Sequence, residues 1–445
     1  MQSLLPESLS FSVAEADGVL RALPTRQRAV FALYGGEGQE PYVSAAVDLR
    51  RRLARLLTAD PAHPRRLQLA ARVRRIAWRV VGSAFEAQAV QFRLLEEMYG
   101  ERALERMHLR TPASVRFHGG NAYPRLSIAT RLPREHAEWF FGPFPSRAAA
   151  ERYSEEVLKL FLLRRCEENL NPDPAHPGCV YSEMKKCLAP CFAGCTDERY
   201  AEEAAAVREF LATRGDSRLR VLAAERDAAS AQLEFEQAAA LHAALRQTES
   251  VRALAAEIVQ PLPQLRACLI LPAAAPEAVA IFLFARGQLR GPELFSTLGM
   301  RIQNEASGST SLYAQPMLVE AIPLGSPSEA NDGAATKASS EVARTASRGA
   351  LLSRLQEVLQ RLEPEADATA TRQVGDLALL ARWYYRPAQQ RAGEIFFAEL
   401  VGSATDSEWN RKAILRGIGR VAAAQMTQRA SEAATSEMSG NSSHA

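Results

Sequence analysis

No apolar run in the 445 residues reaches the length that crosses a bilayer, so a membrane span is not expected. The N-terminal stretch MQSLLPESLSFSVAEADG lacks a basic start followed by an apolar block. It does not read as a secretory signal, and a cytoplasmic location is expected. No P-loop, no Ser/His/Asp grouping and no internal repeat stands out, which leaves ATP hydrolysis and acyl transfer without support. Histidine is sparse, and His108, His118 and His136 have no second ligand at metal spacing, so they read as ordinary surface or core residues. Lysine stands only at 159, 185, 186, 337 and 412, which makes arginine the default cation. The net charge of +3 is too mild to announce a nucleic-acid binder.

What is present is a chain with 47% hydrophobic and 24% charged residues, as in globular proteins, and long enough for roughly two to four compact units. The mild net charge hides a local bias. Between residues 50 and 79 there are ten arginines and one acid, Asp60. Arg50, Arg51 and Arg55 on a predicted helix are candidates for contacts to DNA phosphates; the plainer alternative is a solvated helix face.

Four of the six cysteines fall in RRCEENLNPDPAHPGCVYSEMKKCLAPC at C-x12-C-x7-C-x3-C: Cys166, Cys179, Cys187 and Cys191. Cys195 follows closely and Cys268 stands apart in an apolar run. Between the first two lie Asn169, Asn171, Pro172, Asp173, Pro174, Pro177 and Gly178, a composition that breaks helices and forms a loop able to bring its ends together. Soft thiolates gathered by loops suit tetrahedral zinc or an iron–sulfur cluster, and ligand type alone does not choose between them. Structural thiols or disulfides are the plainer reading, disfavoured where nothing looks secreted.

The order EWFFGPFP, helix, RRC, Pro-rich loop, KKCLAPC, helix resembles the UvrC family of bacterial nucleotide excision repair over residues 23–291. The resemblance implies a [4Fe-4S] cluster on Cys166, Cys179, Cys187 and Cys191, with zinc as the alternative, and leaves Cys195 outside the family pattern. It also frames the N-terminal part. Residues 28–45, RAVFALYGGEGQEPYVSA, read as a hairpin about a Gly-rich turn. A Leu-striped helix follows, then a strand at 76–81 and a helix opened by Ser83 with Glu86 three residues on. That order resembles the GIY-YIG nuclease domain that begins UvrC. Residue by residue, Tyr42 and Arg52 match the family's second tyrosine and its arginine, whereas Phe31 stands for the first tyrosine and Gln91 for the metal-binding glutamate. A phenyl ring has no hydroxyl to relay a proton, and a neutral amide lacks the charge that draws Mg2+ or Mn2+ from its water. The expectation is a nuclease fold without the reaction; the divalent ion belongs only to the reading in which the nuclease is active.

The segment AASAQLEFEQAAALHAAL resembles the UVR motif, a helical hairpin through which UvrC and UvrB pair. A two-helix hairpin cannot bury its own apolar stripe, so Leu233, Phe235, Glu236, Ala239 and Leu245 are expected to meet a UvrB-type partner, unless they pack on their own protein. His242 and Ala243 depart from the family's usual Arg-Asp.

The expected fold class is α+β. Its parts are a degenerate GIY-YIG-like α/β domain (23–110), a Tyr-Pro segment with the cysteine-cluster helical module (111–215), a UVR helical hairpin (216–258) and a β-hairpin region (259–300). Then come a flexible linker rich in Ser, Ala, Gly and Thr (301–348), a small C-terminal helical region (349–420) that also offers one short strand, and a disordered tail (421–445). The expected function is a UvrC-like repair protein that binds DNA, a UvrB-type partner, or both, with incision lost. The alternatives are an active divergent metal-dependent endonuclease and a metal-bearing UVR-type adaptor outside repair.

Overall fold

The computed structural model describes residues 4–58, 67–132, 136–168, 170–298, 300, 302–303, 310–311, 335–365, 368–400 and 407–441. Arg65, Arg66, Asn169 and most of 301–334 lie outside them. The fold class is α+β, with helices packed on antiparallel sheets.

The N-terminal unit contains strands β1 (Glu7–Ser10), β2 (Ala29–Tyr34), β3 (Tyr42–Ala46) and β4 (Arg75–Val80), in the order β1-β4-β2-β3. Helices α1 (Ala16–Ala22) and α2 (Leu49–Leu57) cover one face, and α3 (Ala84–Tyr99) the other. The sequence dictates both faces. Ala29, Phe31 and Leu33 alternate with Val30 and Ala32, so each side of β2 carries apolar groups and needs its own helix. Leu49, Leu53, Leu56 and Leu57 supply the stripe of α2. Asp48 caps that helix by accepting from Arg51 N–H at 3.0 Å. Ser83 caps α3, but Glu86 accepts from Gly82 N–H at 2.9 Å rather than from the cap residue, so the capping box is displaced by one residue. A short helix α4 (Arg102–Arg106) leads out.

The middle unit is a sheet of β5 (Ala113–Phe117), β6 (Leu126–Ala129), β7 (Phe140–Phe144) and β8 (Gln260–Pro261), ordered β6-β5-β7-β8. Helix α5 (Arg147–Leu160) packs on it. The cysteine loop follows with α6 (Val180–Glu183) and α7 (Asp197–Ala212), then the antiparallel pair α8 (Asp216–Ala231) and α9 (Phe235–Arg252).

The C-terminal sheet runs β11-β10-β9-β14 from β9 (Ala267–Pro272), β10 (Ala278–Ala285), β11 (Gln288–Ser296) and, past the two-residue β12 (Ile302–Gln303) and β13 (Thr310–Ser311), β14 (Glu394–Phe397). β9 and β10 are buried on both faces and contain no acid. One face packs on α10 (Ala335–Leu362) and α12 (Arg411–Asn441), the other on α11 (Ala370–Tyr384) and α3. Three divisions drawn from composition are corrected here. The β-hairpin region and the C-terminal helices form one unit, because β14 pairs with β9. The tail read as disordered from residue 421 continues α12, since Ile414, Ile418, Val421 and Ala422 repeat at helical spacing and bury against the sheet. The stretch read as linker likewise contains the start of α10 at Ala335.

The N-terminal and C-terminal units touch closely. A Cβ on Gly82 would lie 2.2 Å from Pro272 O, and one on Gly375 would lie 2.0 Å from the Phe92 ring. Beside Gly82, the main chain of Ala273 donates to Gln425 at 3.3 Å and accepts from it at 2.9 Å.

Candidate functional site

In the N-terminal unit, β3 and α2 bring Tyr42 and Arg52 together: Arg52 Nη2 donates to Tyr42 Oη at 3.1 Å. The ring of Phe31 lies 6.2 Å from that of Tyr42 and is fully buried on the same face of the sheet. It fills the neighbouring position without offering a hydroxyl. Tyr34 cannot replace it. The register of β2 is regular, so Tyr34 lies on the opposite face, beneath the Arg75 guanidinium at 4.1 Å. Gln91 is half-buried on α3, which covers that opposite face through Ala87, Val90 and Leu94. The sheet therefore stands between the helix of Gln91 and the Tyr42–Arg52 pair, except around the edge strand β3. Glu86 is buried, bonded to Gly82 and held above the usual carboxylate range by that burial, against the opposing Gly82 N–H and Arg79.

The arginines of this unit divide. Arg50 is committed to main-chain carbonyls, with Nε to Leu23 O at 2.9 Å and Nη2 to Arg21 O at 2.6 Å, so it staples α1 to α2. Arg51 and Arg55 are exposed.

The cysteine loop is drawn together by main-chain bonds. Asp173 N–H donates to Cys191 O at 2.9 Å, and Leu188 N–H to Leu162 O at 3.0 Å, so both ends of the loop meet the CLAPC turn. Ala189 takes a positive φ of 58° and donates its N–H to Cys187 Sγ at 3.2 Å. Buried Arg164, which sequence reasoning passed over, organises the entrance. Its Nε reaches Tyr123 O at 2.8 Å, and its Nη1 reaches Glu168 O at 2.7 Å and Cys166 O at 3.1 Å. Burial pushes the Cys187 thiol up to about 11, opposed by the Ala189 N–H and reinforced by Cys166, Cys179 and Cys191. Burial raises Cys191 as well, with Cys179 and Cys166 adding to it. These four thiols thus share one electrostatic neighbourhood, whereas the charges that act on Cys195 are Asp197 and Arg199, and Cys268 is enclosed in β9. Among the described residues, no group of three or more His, Cys, Asp or Glu side chains is gathered closely enough to hold a metal ion. Sulfur is the donor type a soft cation takes, and a bound cation would favour loss of the thiol protons.

The hairpin α8–α9 buries Leu222 and Ala229 but leaves its tip in solvent, Leu233 at 71% and Phe235 at 67% exposure. Glu236 and Ala239 are exposed and Leu245 is half-buried. Leu233 itself turns the chain with a φ of 61°.

Comparison with known proteins bears first on the middle unit that contains the cysteine loop. Residues 113–210 match the model of the UvrC/Cho excinuclease middle domain. UvrABC system protein C of Escherichia fergusonii is 30% identical over 216 residues, 48% of this chain and 35% of its own length. The proteins of that name from Klebsiella pneumoniae and Aliivibrio fischeri are each 30% identical, over 228 and 220 residues, covering 51% and 48% of this chain and 37% and 35% of theirs. The match thus spans about a third of the length of these relatives. No solved structure matches. No helix among the described residues is long and apolar enough to cross a membrane. The chain thus matches the excinuclease middle domain at 113–210 and is a divergent UvrC-like protein over about half its length.

Proposed function

We propose that the chain serves nucleotide excision repair by binding DNA and a UvrB-type partner without cutting. The observation that carries the loss of incision is the pairing of Arg52 with Tyr42 beside a buried Phe31, with Gln91 on a helix of the opposite face. Water activation needs an ionisable or metal-bound group at that place, and neither side chain supplies one. The exposed Leu233 and Phe235 support partner docking, since a hairpin with an unburied apolar tip gains by pairing with another. The four thiols are proposed to hold a [4Fe-4S] cluster, or zinc in its place.

The retained Arg52–Tyr42 bond favours one other reading, an active divergent endonuclease that uses Mg2+ or Mn2+. Incision of a damaged, end-labelled duplex with either ion, with and without UvrA and UvrB, decides between them, with Arg52→Ala as control. Cleavage that disappears in the control overturns the loss of incision. Absence of cleavage with retained binding to DNA or partner supports it.

A further inference from the structure

The outward face of the β5–β6 hairpin gathers positive charge, with no acid paired to it among the described residues. Arg116 pairs across the strands with Ser127, and His118 N–H donates to Arg125 O at 2.9 Å, so the side chains at 116, 118, 125 and 127 share one face. Phe117 and Leu126 lie on the other, in the core. His118 Nε2 sits 2.7 Å from Ser127 Oγ, and the Arg116 guanidinium lies over the Phe140 ring at 5.3 Å. Neither Arg116 nor Arg125 forms a side-chain hydrogen bond or ion pair among the described residues, and the Nε of each is buried without a partner. Arg164 adds a third charge nearby but is committed to carbonyls. Burial first, then Arg125, Arg116 and Arg164, lowers the pKa of His118. β6 is an edge strand, so the face is open along one side rather than enclosed. At its turn, Trp139 lies against Gly119, where a Cβ would meet the indole at 2.7 Å, and His136 stacks on Trp139 at 4.2 Å.

Like charges held together in partial burial are costly unless an anion completes them, and guanidinium pairs match phosphate oxygens in geometry as well as charge. An open edge that carries its charges along two strands suits a polymer of phosphates better than a small enclosed anion. We propose that Arg116 and Arg125 on the middle domain form a contact site for the phosphate backbone of DNA, an inference that rests on the reading that this chain binds DNA.

The test is titration of a fluorescent DNA duplex with the full chain across a range of salt. Arg116→Gln/Arg125→Gln is compared with Arg116→Lys/Arg125→Lys, and folding is checked by circular dichroism. The inference expects the glutamine pair to weaken binding by about tenfold or more and to reduce the salt slope by about 2, with the lysine pair retaining most of both. Wild-type binding matched by the glutamine pair in affinity and slope overturns the site but leaves DNA binding standing. No binding by the wild type overturns both. Phenylglyoxal modification of the wild type, read by peptide mass, is independent of variant folding. Protection of Arg116 and Arg125 by DNA supports the site, and equal modification with and without DNA overturns it.

Discussion

Arg93 on α3 and Asp376 on α11 lie 283 positions apart in the chain and meet in the core, Nη2 donating to Oδ2 at 2.8 Å. The carboxylate is fully enclosed and also accepts from Leu289 N–H at 2.8 Å, while the same guanidinium donates to Leu289 O at 2.8 Å. One acid thereby ties α3, α11 and β11 together. Among the described residues, removing it leaves the Arg93 charge with only Glu96, 4.0 Å away, and strands a main-chain donor. Asp376→Ala is expected to cost about 3–5 kcal/mol, and Asp376→Asn less, because the amide oxygen still accepts from Leu289. Urea titration followed by circular dichroism measures both; an unchanged midpoint for Asp376→Ala would show that the pair holds nothing.

The hairpin tip behaves in the opposite way. With Leu233 and Phe235 mostly in solvent, Leu233→Ala and Phe235→Ala are expected to change stability by no more than about 0.5 kcal/mol. Against an immobilised UvrB-type hairpin, Phe235→Ala is expected to weaken binding by about tenfold or more. Equal affinity for wild type and variant would remove this tip from any partner interface.

The cysteines separate into four and two. Anaerobically purified wild type is expected to contain iron and inorganic sulfide with a visible absorption band, which Cys187→Ser abolishes and Cys195→Ser leaves intact. Colourless protein with stoichiometric zinc would replace the cluster by zinc. Loss of the band in Cys195→Ser would place that thiol among the ligands, against its separate surroundings.

His118 provides a pH dependence of defined sign. Burial, then Arg125, Arg116 and Arg164, lower its folded pKa to about 4 from the ordinary 6.5. The unfolded chain therefore takes up a proton that the folded chain refuses. The stability associated with neutral His118 is complete above the ordinary value and is lost as pH falls towards about 4. His118→Gln is expected to flatten the stability profile over that window, measured as the denaturation midpoint against pH. An unchanged slope would mean that His118 protonates freely in the fold.

Local features were legible in the sequence because they depend on near neighbours. The leucine spacing in residues 49–57 forecast α2, and Ser83 forecast the start of α3. Cysteine spacing marked the loop that Asp173 and Leu188 draw together. What escaped depends on distant partners. Arg50 reads as a surface cation until the carbonyls of Arg21 and Leu23 are in place. Asp376, the one acid within VGDLALLARW, was passed over because its partner Arg93 is remote in the chain. The helix beyond residue 421 was obscured by the Ser- and Ala-rich composition after it, although Ile414, Ile418 and Val421 already carried the period.

The contact of Gly82 with Pro272 and Ala273 bears on how this chain can change over generations. Phe85 and Phe92 of the N-terminal unit belong to the same core as Phe282 and Trp383 of the C-terminal unit. The N-terminal unit is therefore a wall of its neighbour, whatever its own chemistry. A side chain at position 82 would meet the Pro272 and Ala273 main chain, so a change there is expected to disturb both units, independently of Tyr42 and Arg52.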